Sequence, residues 1–224
     1  MQTYLTYVLA MPLFLGLLVY YVGKKKFKFS PLLFLSLLVL ILSLAFSVHT
    51  SISRGSKDRI GNLFIANQSE LQALISEKAI KERLLSPLGP ELALSLHNRY
   101  VELINIISQN YLQSFGLDFL ILSGDKNPRH NPANMGQIYW VGFPLIILGM
   151  IFVFNKNPKN LIFLLAWLLI GPLPSGLVGS PHAIRSSFML PPIVIFLSAG
   201  IYFLVKMSGF KVRLFKYFLL ILLF

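Results

Sequence analysis

Apolar runs of about the length that crosses a bilayer, roughly 20 residues, recur along this chain and are separated by short clusters of lysine and arginine. They fall at roughly 3–22, 31–48, 138–154, 161–178 and 188–205, and a sixth begins at 214 and runs to residue 224. A helix of that length closes its own backbone hydrogen bonds, which is the requirement for entering hydrocarbon. The sequence therefore predicts a mainly α, polytopic membrane protein. With 55% hydrophobic and 12% charged residues and a mean hydropathy of +0.70, the chain lies outside the composition of an ordinary soluble domain.

The net charge of +12 raises the question of nucleic acid, because clustered cations release counterions from phosphates. Its distribution gives a different answer. All the acidic residues lie between 49 and 138, where a similar number of bases leaves that stretch close to neutral. The excess sits at Lys24, Lys25, Lys26 and Lys28, at Lys156 and Lys159, and at Lys206, Lys211, Arg213 and Lys216. Clusters of this kind between apolar runs mark cytoplasmic flanks. No nucleic-acid partner is expected. Cysteine is absent, which excludes disulfides, thiolate nucleophiles and cysteine-ligated metals.

One topology satisfies every basic cluster. The first run goes from outside to inside and the second returns. The third ends inside at N-K-N-P-K-N, the fourth goes out, and the fifth ends inside at the Lys206 to Lys216 cluster. The organisation that follows is two transmembrane helices over 1–48, an extracytoplasmic loop domain over 49–137, and three to four transmembrane helices over 138–224, the last cut short. Residues 1–22 lack the basic leading segment of a signal peptide. A chain that opens with an outside-to-inside helix and stops within another reads as truncated at both ends.

The outer loop is too long for a plain connector and is expected to be mostly helical. Ser69 followed by Gln72 suggests a capping box before L-Q-A-L-I-S-E-K-A-I-K-E-R-L-L. Pro87, Gly89 and Pro90 end that helix. A second helix from Pro90 places Leu92, Leu96, Tyr100, Leu103, Ile107 and Tyr111 on one apolar face. The run L-F-I-A at 63–66 reads as a short strand, and His49 and His97 read as interfacial and packing residues.

Two turns carry the candidate chemistry. In S-G-D-K-N-P-R-H at 123–130, the turn dipeptides Gly124-Asp125 and Asn127-Pro128 hold Arg129 and His130 on a stiff loop before the third run. Guanidinium binds phosphate bidentately and imidazole donates a second hydrogen bond. The alternative is that Arg129 pairs with Asp125 and anchors the loop at lipid headgroups. The second turn, G-P-L-P-S-G-L-V-G-S-P-H-A-I-R-S-S at 171–187, breaks an apolar run. Irregular backbone at that depth is tolerated where it lines a cavity or is buried in protein. His182 and Arg185, three residues apart, share one side if a helix starts there; the alternative is a helix end whose arginine reaches the headgroups. Ser175-Gly176 near His182 lacks the G-x-S-G spacing of an intramembrane serine protease. No H-x-x-x-H or paired carboxylate completes a metal site around Asp125 and His130, so no metal and no cofactor is expected.

The pattern N-Y-L-x-x-F-x-x-D-F-L-x-x-x-G-D-x-N-P-R-H from Asn110 to His130, followed by Gly136, Tyr139, Pro144 and Gly149, resembles the C-terminal half of bacterial GT-C membrane glycosyltransferases. The branch is the one that includes protein O-mannosyltransferases and the lipid A aminoarabinose transferase. W-L-L-I-G-P-L-P-S-G-L and P-H-A-I-R-S-S, between Trp167 and Ser187, resemble the segment that follows in that family. The resemblance implies sugar transfer from a polyprenyl-phosphate carrier to an acceptor on the outer membrane face. A carboxylate acts there as general base and basic residues stabilise the leaving phosphate. The substrate-binding candidates are Arg129, His130, Arg185, His182 and Asp125, with Asn110 and Tyr111 ordering the first loop.

The chain departs from that pattern where chemistry matters most. The family's acidic residue sits in an outer loop between its first two spans, often in an Asp-Glu pair. Here those spans are joined by K-K-K-F-K, and no adjacent acidic pair exists. Gly116-Leu117 replaces Ser-Pro, and Ser180 stands where asparagine is common. No catalytic residue is assigned to this chain, and a missing N-terminal half, as a separate polypeptide, is an expected partner beside membrane lipid. The competing reading is a non-catalytic membrane binding or assembly protein whose outer loop recognises a partner.

Overall fold

In the computed structural model the described residues are 3–24, 65–131 and 134–207, together with scattered positions between 35 and 49. These residues are mainly helical and contain no strand. Helix α1 spans Thr3–Lys24, α2 Ser69–Leu85, α3 Pro90–Leu96 and α4 Arg99–Gln113. A π turn covers Asp118–Leu122. After it come α5 Gly142–Lys156, α6 Pro158–Ile170, α7 Leu173–Val178, α8 Ala183–Ser186 and α9 Leu190–Met207. The described positions of the second apolar run, such as Leu35 and Phe46, are helical. The sixth run lies outside the described residues.

Polar residues at the element boundaries set where these helices start. Asn157 Oδ1 accepts from Lys159 N at 3.0 Å and Pro158 takes the first helical position of α6, where its missing N–H costs nothing. Two helical stretches, Pro158–Val178 and Ala183–Met207, are long and apolar enough to cross a membrane, while Ala10–Gly23 and Gly142–Lys156 are apolar but shorter. Most of the surface of the two long stretches is not covered by the rest of the chain, with 39% and 28% of their most apolar windows buried.

The tightest packing joins α5 to α9. A Cβ on Gly149 would lie 1.8 Å from the Phe196 carbonyl oxygen, and one on Gly200 would lie 1.9 Å from that of Leu145. Two glycines facing each other let the helix backbones touch, so the contact is made through close van der Waals packing. On the other side, α1 rests on α6 through Phe14, whose ring lies 4.5 Å from that of Trp167 and 5.2 Å from that of Phe188. The Tyr21 hydroxyl donates to Asn160 Oδ1 near the opposite end. Phe196 and Met189 fill the space between these pairs and are almost wholly buried.

The helices between 65 and 113 differ from expectation in three places. Ile65–Asn67 forms a 3₁₀ turn, so Ile65 and Ala66 of L-F-I-A are not strand, while Leu63 and Phe64 lie outside the described residues. Helix α2 starts at Ser69 without a side-chain cap, because the Gln72 amide donates to the Ala66 carbonyl instead of closing a capping box. The single helix from Pro90 is broken at His97-Asn98, where Asn98 Oδ1 accepts from Tyr100 N and Val101 N, both at 2.9 Å. An asparagine that can cap a helix competes with continuing one. The break splits the apolar face: Leu92, Leu96 and Tyr100 are exposed, while Leu103, Ile107 and Tyr111 keep to the covered side of α4. That side packs on α7, where Gly176 admits the Tyr111 backbone and Cβ; a Cβ on the glycine would sit 2.9 Å from that atom.

Candidate functional site

The turn at 123–136 is knitted by Asn131. Its Nδ2 donates to the carbonyls of Ser123 at 2.6 Å and Asp125 at 3.2 Å, and its Oδ1 accepts from Met135 N at 3.0 Å. Gly124 has φ +72°, and a Cβ there would lie 2.1 Å from the Met135 carbonyl oxygen, so only glycine fits both the dihedral and the space. The π turn supplies the other wall: Ser123 N and Gly124 N both donate to the Asp118 carbonyl, at 2.8 and 3.0 Å. The Ser123 hydroxyl donates to Asp118 Oδ1 at 2.7 Å.

The second turn is clamped by Ser175, which is fully buried. Its hydroxyl oxygen accepts from His182 N at 3.0 Å. This excludes a Ser-His nucleophilic pair at that hydroxyl, since the serine meets the histidine backbone and not the ring. Helix α8 then begins with the His182 side chain as its cap, Nδ1 accepting from Ile184 N at 3.3 Å. The segment G-P-L-P-S-G lies in the protein interior, with Pro172, Pro174, Ser175 and Gly176 buried, as irregular backbone beside an apolar run requires.

Asp125 joins the turns. It is 3% exposed; Oδ1 accepts from Asn127 N at 2.9 Å and Oδ2 from Ala183 N at 2.8 Å. The same Oδ2 lies 3.5 Å from His182 Nδ1. The rings of His130 and His182 face each other at 4.8 Å, tilted by 57°. Burial pushes the His182 imidazole below the ordinary histidine range; Asp125 pulls it back, and Arg185 and His130 add to the lowering. Neutral His182 with Nδ1 accepting carries its proton on Nε2. That Nε2 is buried and has no hydrogen-bond partner among the described residues, and neither does the buried Ser186 hydroxyl.

The expected site residues divide into those the fold gathers and those it does not. Asp125, His130, His182 and Arg185 converge, with Asp125 and His130 both close enough for their charges to act on His182 together with Arg185. Arg129 is exposed; its backbone N–H donates to Asn127 Oδ1 at 3.1 Å, and it forms no ion pair with Asp125 among the described residues. The Asp125 carboxylate instead binds backbone N–H groups from both turns, which hold it more rigidly than a flexible guanidinium could. Tyr111 does not order the first loop; its hydroxyl donates to the Leu169 carbonyl at 2.9 Å at the base of the second turn, and burial raises its phenol above the usual range. Asn110 sits half-buried on α4, its carbonyl accepting from the Ser114 hydroxyl at 3.4 Å.

Sequence reasoning missed Asn131, Ser175 and Ser186. Asn131-Pro132 reads as one more turn dipeptide, and only the folded loop shows that its amide ties three backbone groups. No family model, curated protein or solved structure matches the chain, so its functional reading rests on residues and geometry.

Proposed function

We propose that this is a polytopic membrane protein whose joined turns, 123–136 and 179–187, bind the phosphate of a polyprenyl-phosphate-linked sugar on the extracytoplasmic side, as the carrier-binding part of a GT-C-type glycosyltransferase. The observation that carries the reading is the buried His182 Nε2, which has no hydrogen-bond partner among the described residues, beside His130 and Arg185. A buried donor left unpaired costs about 1–3 kcal/mol, and an anionic oxygen offsets that cost with a short, charge-assisted bond. The apolar stretches Pro158–Val178 and Ala183–Met207, with α1 and α5 beside them, support a multi-pass arrangement. The lysine clusters support an outward-facing 49–137 segment.

In this reading Asp125 is a positioning residue. Both its oxygens accept backbone N–H groups, one from each turn, which fixes the carboxylate in place between them. No general base is assigned among the described residues.

The test is binding of a polyprenyl phosphate, against the uncharged polyprenol, to the purified chain in nanodiscs. The phosphate is expected to bind at least about tenfold tighter, and His182→Ala and Arg185→Ala each to lose about tenfold, the effect of removing one charge-assisted hydrogen bond. Equal binding of both lipids, or unaltered binding by both variants, rules the reading out.

A second reading, a non-catalytic membrane assembly protein, is favoured by one observation. Leu84, Leu85 and Tyr100 on the outer helices are 81%, 73% and 76% exposed, an apolar surface suited to a protein partner. It expects no discrimination between phosphate and polyprenol.

A further inference from the structure

Outside the joined turns, one cluster of ligand-type side chains stands apart. Glu82 of α2, His97 at the break between α3 and α4, and Glu102 in the first turn of α4 bring one ligand atom each to within 4.8 Å of one another. The corner that gathers them is built deliberately. The Arg83 side chain donates to the His97 carbonyl, and the Asn98 cap directs α4 back along α2. His97 Nδ1 lies 3.1 Å from Glu82 Oε2.

Glu102 is the unusual member. It is 2% exposed, so its carboxylate is shielded from water. A buried carboxylate needs a cation. Among the described residues that cation is the Lys78 ammonium, 2.8 Å from Glu102 Oε2 and 3.6 Å from Glu82 Oε1. Lys78 is about half exposed, at 49%, so it can swing into water at little cost. The Glu82 and His97 side chains are 35% and 27% exposed, leaving room for a water ligand. The surroundings thus hold a cation between two carboxylates and an imidazole, and the one now there is a half-exposed ammonium.

We propose that Glu82, His97 and Glu102 form a divalent transition-metal site of zinc type, in which the metal displaces Lys78 and fastens α2 to the α3–α4 corner. Two carboxylates and one imidazole are a ligand set for zinc, with bonds of about 2.0–2.2 Å, so the three ligand atoms must close up by about 1 Å. The half-exposed Glu82 and His97 can supply that movement by side-chain rotation, while buried Glu102 stays fixed. The nitrogen ligand selects against magnesium and calcium, which prefer oxygen. Because α4 carries Tyr111 to Gly176 and Leu169, the metal braces the outer helices against the segment beneath the joined turns.

The experiment is titration of the full chain in detergent with zinc chloride, followed by calorimetry and by thermal unfolding, with magnesium chloride as the comparison. Zinc, and not magnesium, is expected to bind at one site and raise the unfolding temperature. Lys78→Met removes the competing charge and is expected to tighten zinc binding by about tenfold or more. His97→Ala and Glu82→Gln, both at partly exposed positions that leave Glu102 paired with Lys78, are expected to weaken it by at least about tenfold, the loss of one ligand bond. The proposal is overturned by absence of zinc binding in both the wild type and Lys78→Met, or by binding that His97→Ala and Glu82→Gln leave unchanged.

Discussion

The Asp125 carboxylate accepts a hydrogen bond from the Ala183 backbone N–H at 2.8 Å, across 58 positions of chain. With the second oxygen taken by Asn127 N at 2.9 Å, one side chain holds both turns at once. Asp125→Ala is expected to lower the unfolding free energy by about 2–4 kcal/mol, since it leaves two backbone donors unpaired in a buried place. Asp125→Asn should cost less, because its amide oxygen still satisfies one donor. Chemical denaturation in detergent measures both, and a change under about 0.5 kcal/mol for Asp125→Ala would contradict the bridging role.

Asn131 serves the first turn in the same way, through three hydrogen bonds to backbone. Asn131→Ala is expected to destabilise by about 1–3 kcal/mol. Asn131→Asp should be no better, as it keeps the acceptor for Met135 N and removes the donors to the Ser123 and Asp125 carbonyls. Hydrogen exchange at the amides of residues 123–136 would register the loosening directly.

The crossing of α5 and α9 sets a sharper test. Gly149→Ala brings a methyl 1.8 Å from the Phe196 carbonyl oxygen, and no rotamer relieves a clash between Cβ and backbone. The helices must separate, at a cost of about 1–3 kcal/mol or more. Gly16→Ala, whose Cβ meets nothing within 4 Å, is expected to be neutral or to stabilise α1 by up to about 1 kcal/mol. Similar unfolding temperatures for the two variants would refute the close crossing.

Acid should weaken the joined turns. Burial holds the folded-state His182 below its ordinary range, so on acidification the unfolded chain takes up the proton first. The contribution is fully present above the unfolded value of about 6.5, and it falls as pH drops toward the folded value. His182→Asn keeps an acceptor for Ile184 N and does not titrate. Its unfolding free energy is expected to fall less than the wild type's between about pH 7.5 and pH 5. Parallel curves for the two proteins would show that His182 is not the group that responds.

The sequence by itself determined where helices run in the apolar segments. Residues 3–22, 138–154, 161–178 and 188–205 need little more than length and apolarity, because long runs of leucine, isoleucine and phenylalanine carry few of the residues that break a helix. It also marked the two polar turns, since glycine, proline and asparagine have local dihedral preferences that do not wait for tertiary contacts. What it left open was pairing. Nothing local distinguishes an Asp125 that meets Arg129 four residues on from one that meets Ala183 on another turn. Nor does spacing reveal that Asn98 ends α3 and turns Glu102 inward toward Glu82 and His97. Those outcomes depend on which helices pack and how closely. Gly149 against Gly200 and Tyr111 against Gly176 decide this through contacts between residues far apart in the chain, whose free energy appears only when both partners are in place.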